Sequence, residues 1–93
     1  MKNTKKYKDL EISNIQYTSK DGMTVLLADV KNTGTTKHNA EIVKLEILDE
    51  NGKLITEGKP VIGEIEAGGT IKLNASLIGD VANAKDIRIT EAK

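Results

Sequence analysis

The sequence alternates apolar and polar residues with a period of two, and this pattern most restricts the folds open to the chain. Between Thr70 and Leu77 apolar side chains occupy every second position, and Lys72, Asn74 and Ser76 stand between them. A strand with one buried face has this period, whereas an amphipathic helix repeats every three to four residues. No segment keeps a helical apolar stripe over three turns. The sequence therefore predicts an all-β protein.

Turn signals divide the chain into seven predicted strands. Gly22, Gly52 and the Gly68-Gly69 pair lie in tight-turn sequences, and Pro60, which cannot donate to a sheet, interrupts the ladder. The predicted strands are 10–17, 23–32, 43–47, 54–55, 61–65, 70–77 and 86–90. Seven short strands are typical of an immunoglobulin-like antiparallel β-sandwich with Greek-key connections. A closed barrel is the alternative architecture.

The first predicted strand changes phase in its middle. Leu10 and Ile12 share one face, but Ile15 and Tyr17 are out of phase with them. A β-bulge near residues 13–14 would return the later side chains to the same face. We therefore predict a bulge there.

The second predicted strand has a more apolar start than end. Leu26, Ala28 and Val30 fall on one face, and Val25 and Leu27 place apolar side chains on the other. We expect the start of this strand to be more fully covered than its end.

Composition favours one folded domain with an aliphatic core. Valine, leucine and isoleucine number 24 of 93 residues, and phenylalanine and tryptophan are absent. This share exceeds the roughly 20% below which disorder is expected, and the length suits a single domain. The first eight residues include four lysines. They predict a flexible polar tether over residues 1–8, followed by one sandwich domain over residues 9–93.

Charge and cysteine content exclude several functions. From residue 9 onward the chain has ten basic and fourteen acidic residues, which does not suit nucleic-acid binding. The absence of cysteine excludes disulfides, thiol nucleophiles and cysteine-ligated zinc. No apolar run approaches the ~18 residues of a membrane span. Membrane attachment would therefore need a lipid anchor or signal outside this sequence.

Three segments together resemble a known family. They are 28–34 (Ala-Asp-Val-Lys-Asn-Thr-Gly), 45–52 (Leu-Glu-Ile-Leu-Asp-Glu-Asn-Gly) and 65–70 (Ile-Glu-Ala-Gly-Gly-Thr). Their order and spacing resemble FxLYD-type domains and related immunoglobulin-like modules of bacterial envelope proteins. The pattern differs where the family has an aromatic residue, a tyrosine and often a proline, at Leu45, Leu48 and Ala67.

The resemblance implies a sandwich exported by a bacterium, often within a lipoprotein or wall-associated protein, and it carries over no catalytic residue. Asn32 and Gly34 in one motif, and Asp49 and Gly52 in another, suit turns and strand pairing. The expected localisation is extracellular or envelope-associated.

His38 is the only histidine, and it lies in the predicted polar loop 32–39 beside Lys37. A catalytic base needs an orienting carboxylate, and no glycine-flanked serine accompanies it. We expect His38 to be a solvated loop residue.

Two acidic groups invite functional hypotheses. Glu64 and Glu66 lie two apart on a predicted strand, where paired carboxylates would suit a glycosidase or a metal site. We expect them instead to be exposed charges that protect a sheet edge from aggregation. Asp49, Glu50 and Asn51 could offer oxygens to calcium, but the sequence lacks the glutamate that an EF-hand has at position twelve. Gly63, in turn, belongs to no phosphate-binding loop, because a strand follows.

We therefore expect a non-catalytic module, a spacer or a protein-interaction domain without cofactor, whose partner is another envelope protein. A monomer is favoured over an oligomer. The loops 32–39 and 79–85 are the expected contact regions, together with any open strand edge. The alternative is a small-ligand or carbohydrate-binding sandwich, for which Tyr7 and Tyr17 are the available aromatic residues.

Overall fold

The fold is an antiparallel β-sandwich, seen in a computed structural model that describes residues 4–79, 81 and 84–92. These residues form eight strands and no helix. The strands are β1 (Lys5–Tyr7), β2 (Leu10–Lys20), β3 (Met23–Asn32), β4 (Glu41–Leu48), β5 (Leu54–Gly58), β6 (Val61–Ile62), β7 (Thr70–Ile78) and β8 (Asp86–Glu91). The predicted all-β sandwich is confirmed.

The strands form two sheets. The first sheet has the order β1-β2-β3-β7. In the second, β4 pairs with β8 along one side and with β5 and β6 along the other. The chain crosses between the sheets after β3, β6 and β7, so β7 returns to lie beside β3. A long return of this kind is a property of Greek-key sandwiches.

The predicted tether over residues 1–8 is wrong for Lys5–Tyr7. These residues form β1, which pairs with the start of β2 through Lys5↔Ile12 and Tyr7↔Leu10. Tyr7 is only 8% exposed and belongs to the core. The lysines around Tyr7 suggested a polar segment and gave no indication of a buried aromatic side chain. β1 is therefore an eighth strand, in addition to the seven predicted from the sequence.

The predicted bulge in the first hairpin is confirmed. The β2–β3 register shifts between Ser13 and Gln16, and Asn14 has φ 52°. As a result Ile15 and Tyr17 pack against the same core as the earlier part of β2. The added residue therefore corrects the phase of the strand.

The predicted strand 61–65 is shorter than expected. β5 and β6 lie along β4 in one continuous register, interrupted at Lys59-Pro60, where Pro60 O still accepts from Val43 N at 3.1 Å. Proline has no N–H to return that bond. The ladder ends at Ile62, and Ile65 pairs separately with His38.

The core between the sheets is aliphatic, apart from Tyr7. Its fully buried apolar side chains come from both sheets and from the 62–65 segment: Leu10, Ile12, Leu26, Val30, Val43, Leu45, Ile47, Ile62, Ile65, Leu73 and Leu77. Inward and outward residues alternate along β3 and β7, as the period-two pattern predicts.

Candidate interaction surface

The outer face of the first sheet exposes four large apolar side chains. Met23, Val25, Leu27 and Ile78 are 43%, 37%, 42% and 77% exposed, and Met23 stands opposite Ile78 in the β3–β7 register. We term these four residues the apolar stripe. The expectation that Val25 and Leu27 would be covered is wrong, because no described element packs on this face of the sheet. An apolar patch left open on a soluble domain commonly marks an interaction site.

A depression lies next to the stripe, close to the bulge, and its lining combines amide and charged groups with apolar surface from Leu27 and Ala28. It has a volume of about 460 Å³, and we term it the polar saddle. Its lining residues are Asn14, Gln16, Leu27, Ala28, Asp29, Lys72 and Asn74.

The charges of the saddle satisfy each other. Lys72 forms an ion pair with Asp29, and Asn14 Nδ2 donates to Asp29 Oδ2 at 2.7 Å. The hydrogen bond from Lys72, followed by that from Asn14, lowers the pKa of Asp29. The saddle therefore offers amide groups around a neutralised ion pair.

A second polar group lies at one end of the sandwich and surrounds Glu41. Tyr7 Oη donates to Glu41 Oε2 at 2.7 Å, and Lys8 Nζ donates to both carboxylate oxygens at 3.2 and 3.3 Å. His38 Nε2 lies 2.7 Å from Glu41 Oε1. We term these four residues the Glu41 cluster. It connects the first sheet, through Tyr7 and Lys8, to the start of β4.

The expectation that His38 is a solvated residue without a carboxylate partner is wrong. Its side chain is 14% exposed, and its backbone exchanges hydrogen bonds with Ile65 at 2.8 and 2.9 Å. This β-bridge with Ile65 holds the imidazole beside Glu41. The polar composition of the loop did not indicate it.

Contacts within the Glu41 cluster shift the pKa values of three of its members. Burial opposes ionisation of Glu41, but the hydrogen bonds from Tyr7, His38 and Lys8 outweigh it and lower the pKa of that carboxyl. Burial, with the bond to Glu41, raises the pKa of the Tyr7 phenol. The bond to Glu41 also raises the pKa of Lys8.

The cluster does not have the geometry of a catalytic triad. Among the described residues, the hydrogen-bond partner of the His38 ring is Glu41, and no hydroxyl group stands in the place of a nucleophile. Glu41 is shared among Tyr7 of β1, Lys8 of the turn that follows and His38 of an isolated bridge. This arrangement positions and neutralises a carboxylate at the junction of the sheets.

Asn32 is a buried polar residue whose importance the turn motif only partly indicated. It is 1% exposed; its Nδ2 donates to Thr36 O at 2.8 Å and to Ile65 O at 3.0 Å, and its Oδ1 accepts from Gly34 N at 2.9 Å. The side chain thereby joins the loop after β3 to the turn before β7. Composition alone does not show that one side chain must form hydrogen bonds with several buried backbone groups.

The acidic candidates from the sequence lie apart from these groups. Glu64 and Glu66 are exposed, but neither lies on an edge strand as expected; Glu64 is in a loop, 3.5 Å from Lys37, and Glu66 is in a turn. Asp49 Oδ1 accepts from the backbone N of Asn51 and Lys53, both at 2.9 Å, and so caps its turn.

The remaining sequence-derived candidates have mixed outcomes. Tyr7 is buried in the core, and Tyr17 is partly buried against it. The loop 79–85 lies partly outside the described residues. Within the described ranges no three histidine, cysteine, aspartate or glutamate side chains gather as metal ligands. No described helix is long and apolar enough to cross a membrane.

Comparisons with known proteins support the fold alone. No protein-family model matches the chain, and the curated proteins give no match. The structure is similar to that of a DUF1425 family member from Shewanella sp. pv-4, with a TM-score of 0.55 and 12% sequence identity. The similarity covers 99% of this chain and 90% of that chain. The sandwich architecture is thus shared with a bacterial protein over nearly its whole length.

Proposed function

We propose that this protein is a non-catalytic interaction module that binds a protein partner through the outer face of its first sheet. The observation that carries the proposal is the apolar stripe, in which Met23, Val25, Leu27 and Ile78 are exposed side by side. Burying apolar surface contributes about 25 cal/mol per Å², so a partner that covers the stripe gains from each of these side chains. A central apolar patch with a polar border is typical of protein interfaces.

The resemblance to FxLYD-type domains supports an exported, envelope-associated setting as part of the same proposal. Cell fractionation of the source bacterium with an antibody against the domain tests it. Recovery from the cytosolic fraction alone would contradict this setting and leave the binding proposal standing.

Matched valine substitutions on the two sheets test the binding surface. Val25 lies in the stripe, and Val61 is 59% exposed on the second sheet, opposite Ile42. We expect Val25→Lys to abolish enrichment of a partner in pull-downs and Val61→Lys to preserve it. If both variants or neither lose the partner, the stripe is not the interface. If even the unchanged protein enriches nothing, a spacer role becomes the better account.

The polar saddle supports a second candidate, a domain for small polar ligands or carbohydrates. Asn14, Gln16 and Asn74 place amide groups around one depression, although no aromatic ring lines it. Ligand-observed NMR with mixtures of glycans and small polar metabolites tests this function. Signals that broaden with the unchanged protein and not with Gln16→Ala would support it.

A further inference from the structure

Strand β7 forms an edge of the first sheet, and its hydrogen-bond phase shows which backbone groups face outward. Asn32 N donates to Gly69 O at 2.9 Å and Gly79 N to Gly22 O at 2.7 Å, at the two ends of an unbroken β3–β7 register. Hydrogen-bonded and non-bonded pairs alternate along an antiparallel ladder. Odd-numbered residues of β7 therefore bond to β3, and the backbone groups of even-numbered residues point away from it.

The outward backbone groups of Lys72, Asn74 and Ser76 have no hydrogen-bond partner among the described residues, although β5 and Pro60 border the far half of the edge. Within the described part of the chain, Thr56 Oγ1 donates to Ile78 O at 2.7 Å and covers the far end of this edge. No other hydrogen bond between described residues reaches this side of β7. Unpaired groups along a straight edge are a template for pairing with another chain.

A small cleft borders this edge, because β5 and β6 are interrupted at Lys59-Pro60. It has a volume of about 140 Å³. Its lining residues are Lys59, Pro60, Asn74, Ala75, Ser76 and Leu77. A cavity of about 150 Å³ accommodates a group the size of benzene. The cleft is half-open and has a mixed lining, so it can hold one small side chain of a strand added to β7.

The charge around the edge is positive. Lys31 and Lys59 are exposed there, and β7 contains no carboxylate. The nearby carboxylate of Asp29 is already paired with Lys72. A second copy of this chain would bring the same lysines together, whereas an acidic strand would complement them.

We propose that the β7 edge binds an extended acidic peptide as an additional strand along residues 70–76. Main-chain hydrogen bonds to Lys72, Asn74 and Ser76 supply affinity, the cleft beside Pro60 takes one side chain, and carboxylates lie near Lys31 and Lys59. The inference goes beyond the proposed function, because it concerns a second surface and names the chemistry of its partner. It uses the strand edge, so it can fail while the stripe remains an interface.

Residue-resolved amide exchange, followed by NMR, tests the strand addition. The probes are two seven-residue capped peptides, one alternating valine with glutamate and the other valine with lysine. We expect the glutamate peptide to slow exchange at Lys72, Asn74 and Ser76 by about tenfold or more, because only these amides gain partners. Leu73 and Ala75 already bond to β3 and serve as internal references.

Two variants at one position separate the backbone from the side chain. Asn74→Pro removes an N–H that points outward, which an edge strand tolerates, and we expect it to abolish peptide binding. Asn74→Ala keeps the N–H, so the glutamate peptide should still slow exchange at Lys72 and Ser76, even though Asn74 lines the cleft. Far-UV circular dichroism establishes that both variants fold. If Asn74→Pro unfolds, the unchanged protein is tested with the glutamate peptide N-methylated at alternate residues. This peptide lacks the N–H groups that would donate to β7, so it should not bind.

Three results would overturn the proposal. Unchanged exchange at saturating glutamate peptide would mean that the edge takes no strand. Equal protection by both peptides would show that the edge has no preference for an acidic peptide. Protection that rises with protein concentration alone would assign the edge to a second copy. The Val25→Lys pull-down decides the proposed function separately, since that substitution lies on β3.

Discussion

At the scale of single residues, buried polar side chains hold the loop end of the sandwich together. The Asn32 side chain forms hydrogen bonds with two backbone carbonyls and one backbone amide. The Asp49 carboxylate accepts backbone hydrogen bonds within its own turn in a similar way. The polar loop motif predicts such turns. It does not predict that Asn32 would be buried, because its partner Ile65 lies 33 positions away along the chain.

Replacing Asn32 with alanine should lower the free energy of unfolding by at least about 2 kcal/mol, because buried backbone groups lose their partners. Urea denaturation measures the change. The control is Asn39→Ala, at an exposed loop position, which should stay within about 0.5 kcal/mol. Equal losses in the two variants would show that Asn32 contributes no more than a surface amide.

At the scale of elements, β4 organises the second sheet, because β5, β6 and β8 all pair with it. The period-two pattern predicts its inward side chains, Val43, Leu45 and Ile47, correctly. It does not predict β1, since a strand of three residues is too short to show a period. What stabilises β1 is its pairing with β2 in a local hairpin and the burial of Tyr7, whose hydroxyl bonds to Glu41, 34 positions away.

Within β4, Leu45→Ala should cost about 2–5 kcal/mol, the usual range for emptying a leucine site in a packed core. Ile42→Ala lies on the same strand, but Ile42 is 54% exposed, and it should cost much less. Thermal and urea unfolding of both variants measure the difference. A similar loss in the two would argue against the inward and outward assignment.

Removing residues 1–8 should lower the free energy of unfolding by about 3 kcal/mol or more, because the core loses the Tyr7 ring. A simple tether would be dispensable. The control is Lys6→Ala, an exposed position of the same strand, which should change stability little. A truncated protein as stable as the full chain would restore the tether interpretation.

At the scale of the whole molecule, the sequence predicts the fold class, the bulge, the turns and most strand positions, because these depend on neighbouring residues. It does not predict the candidate surface. Three of the four stripe residues belong to a strand that the same pattern assigns as covered, and only the structure shows that no described element packs on Val25 and Leu27. The Glu41 cluster likewise joins residues 34 positions apart.

The Glu41 cluster should make stability depend on acid. The folded pKa of Glu41 lies below its ordinary value, so the unfolded chain binds more protons through the carboxyl range. The stabilisation is therefore complete above the unfolded pKa, about 4.3, and is lost as pH falls through the folded pKa. Urea unfolding from pH 3 to pH 7 measures this slope.

Glu41→Gln should reduce that acid-dependent loss and lower stability at neutral pH by about 1–3 kcal/mol, since bonds to a charged acceptor are replaced by bonds to a neutral one. Glu64→Gln, on an exposed side chain, is the control. An unaltered pH slope in Glu41→Gln would assign the acid dependence to Asp29, Glu46 and Asp86, whose pKa values are also lowered.

The aliphatic core has an optical consequence. Because the chain has no tryptophan, phenylalanine or cysteine, its near-ultraviolet circular dichroism comes from Tyr7 and Tyr17 alone. One ring is hydrogen-bonded to Glu41 at the junction of the sheets, and the other packs where the bulge restores the phase of β2. Loss of that signal while the far-ultraviolet spectrum persists would mark loosened packing around the two tyrosines. The protein therefore carries two built-in chromophores that report the closure of its sandwich without any label.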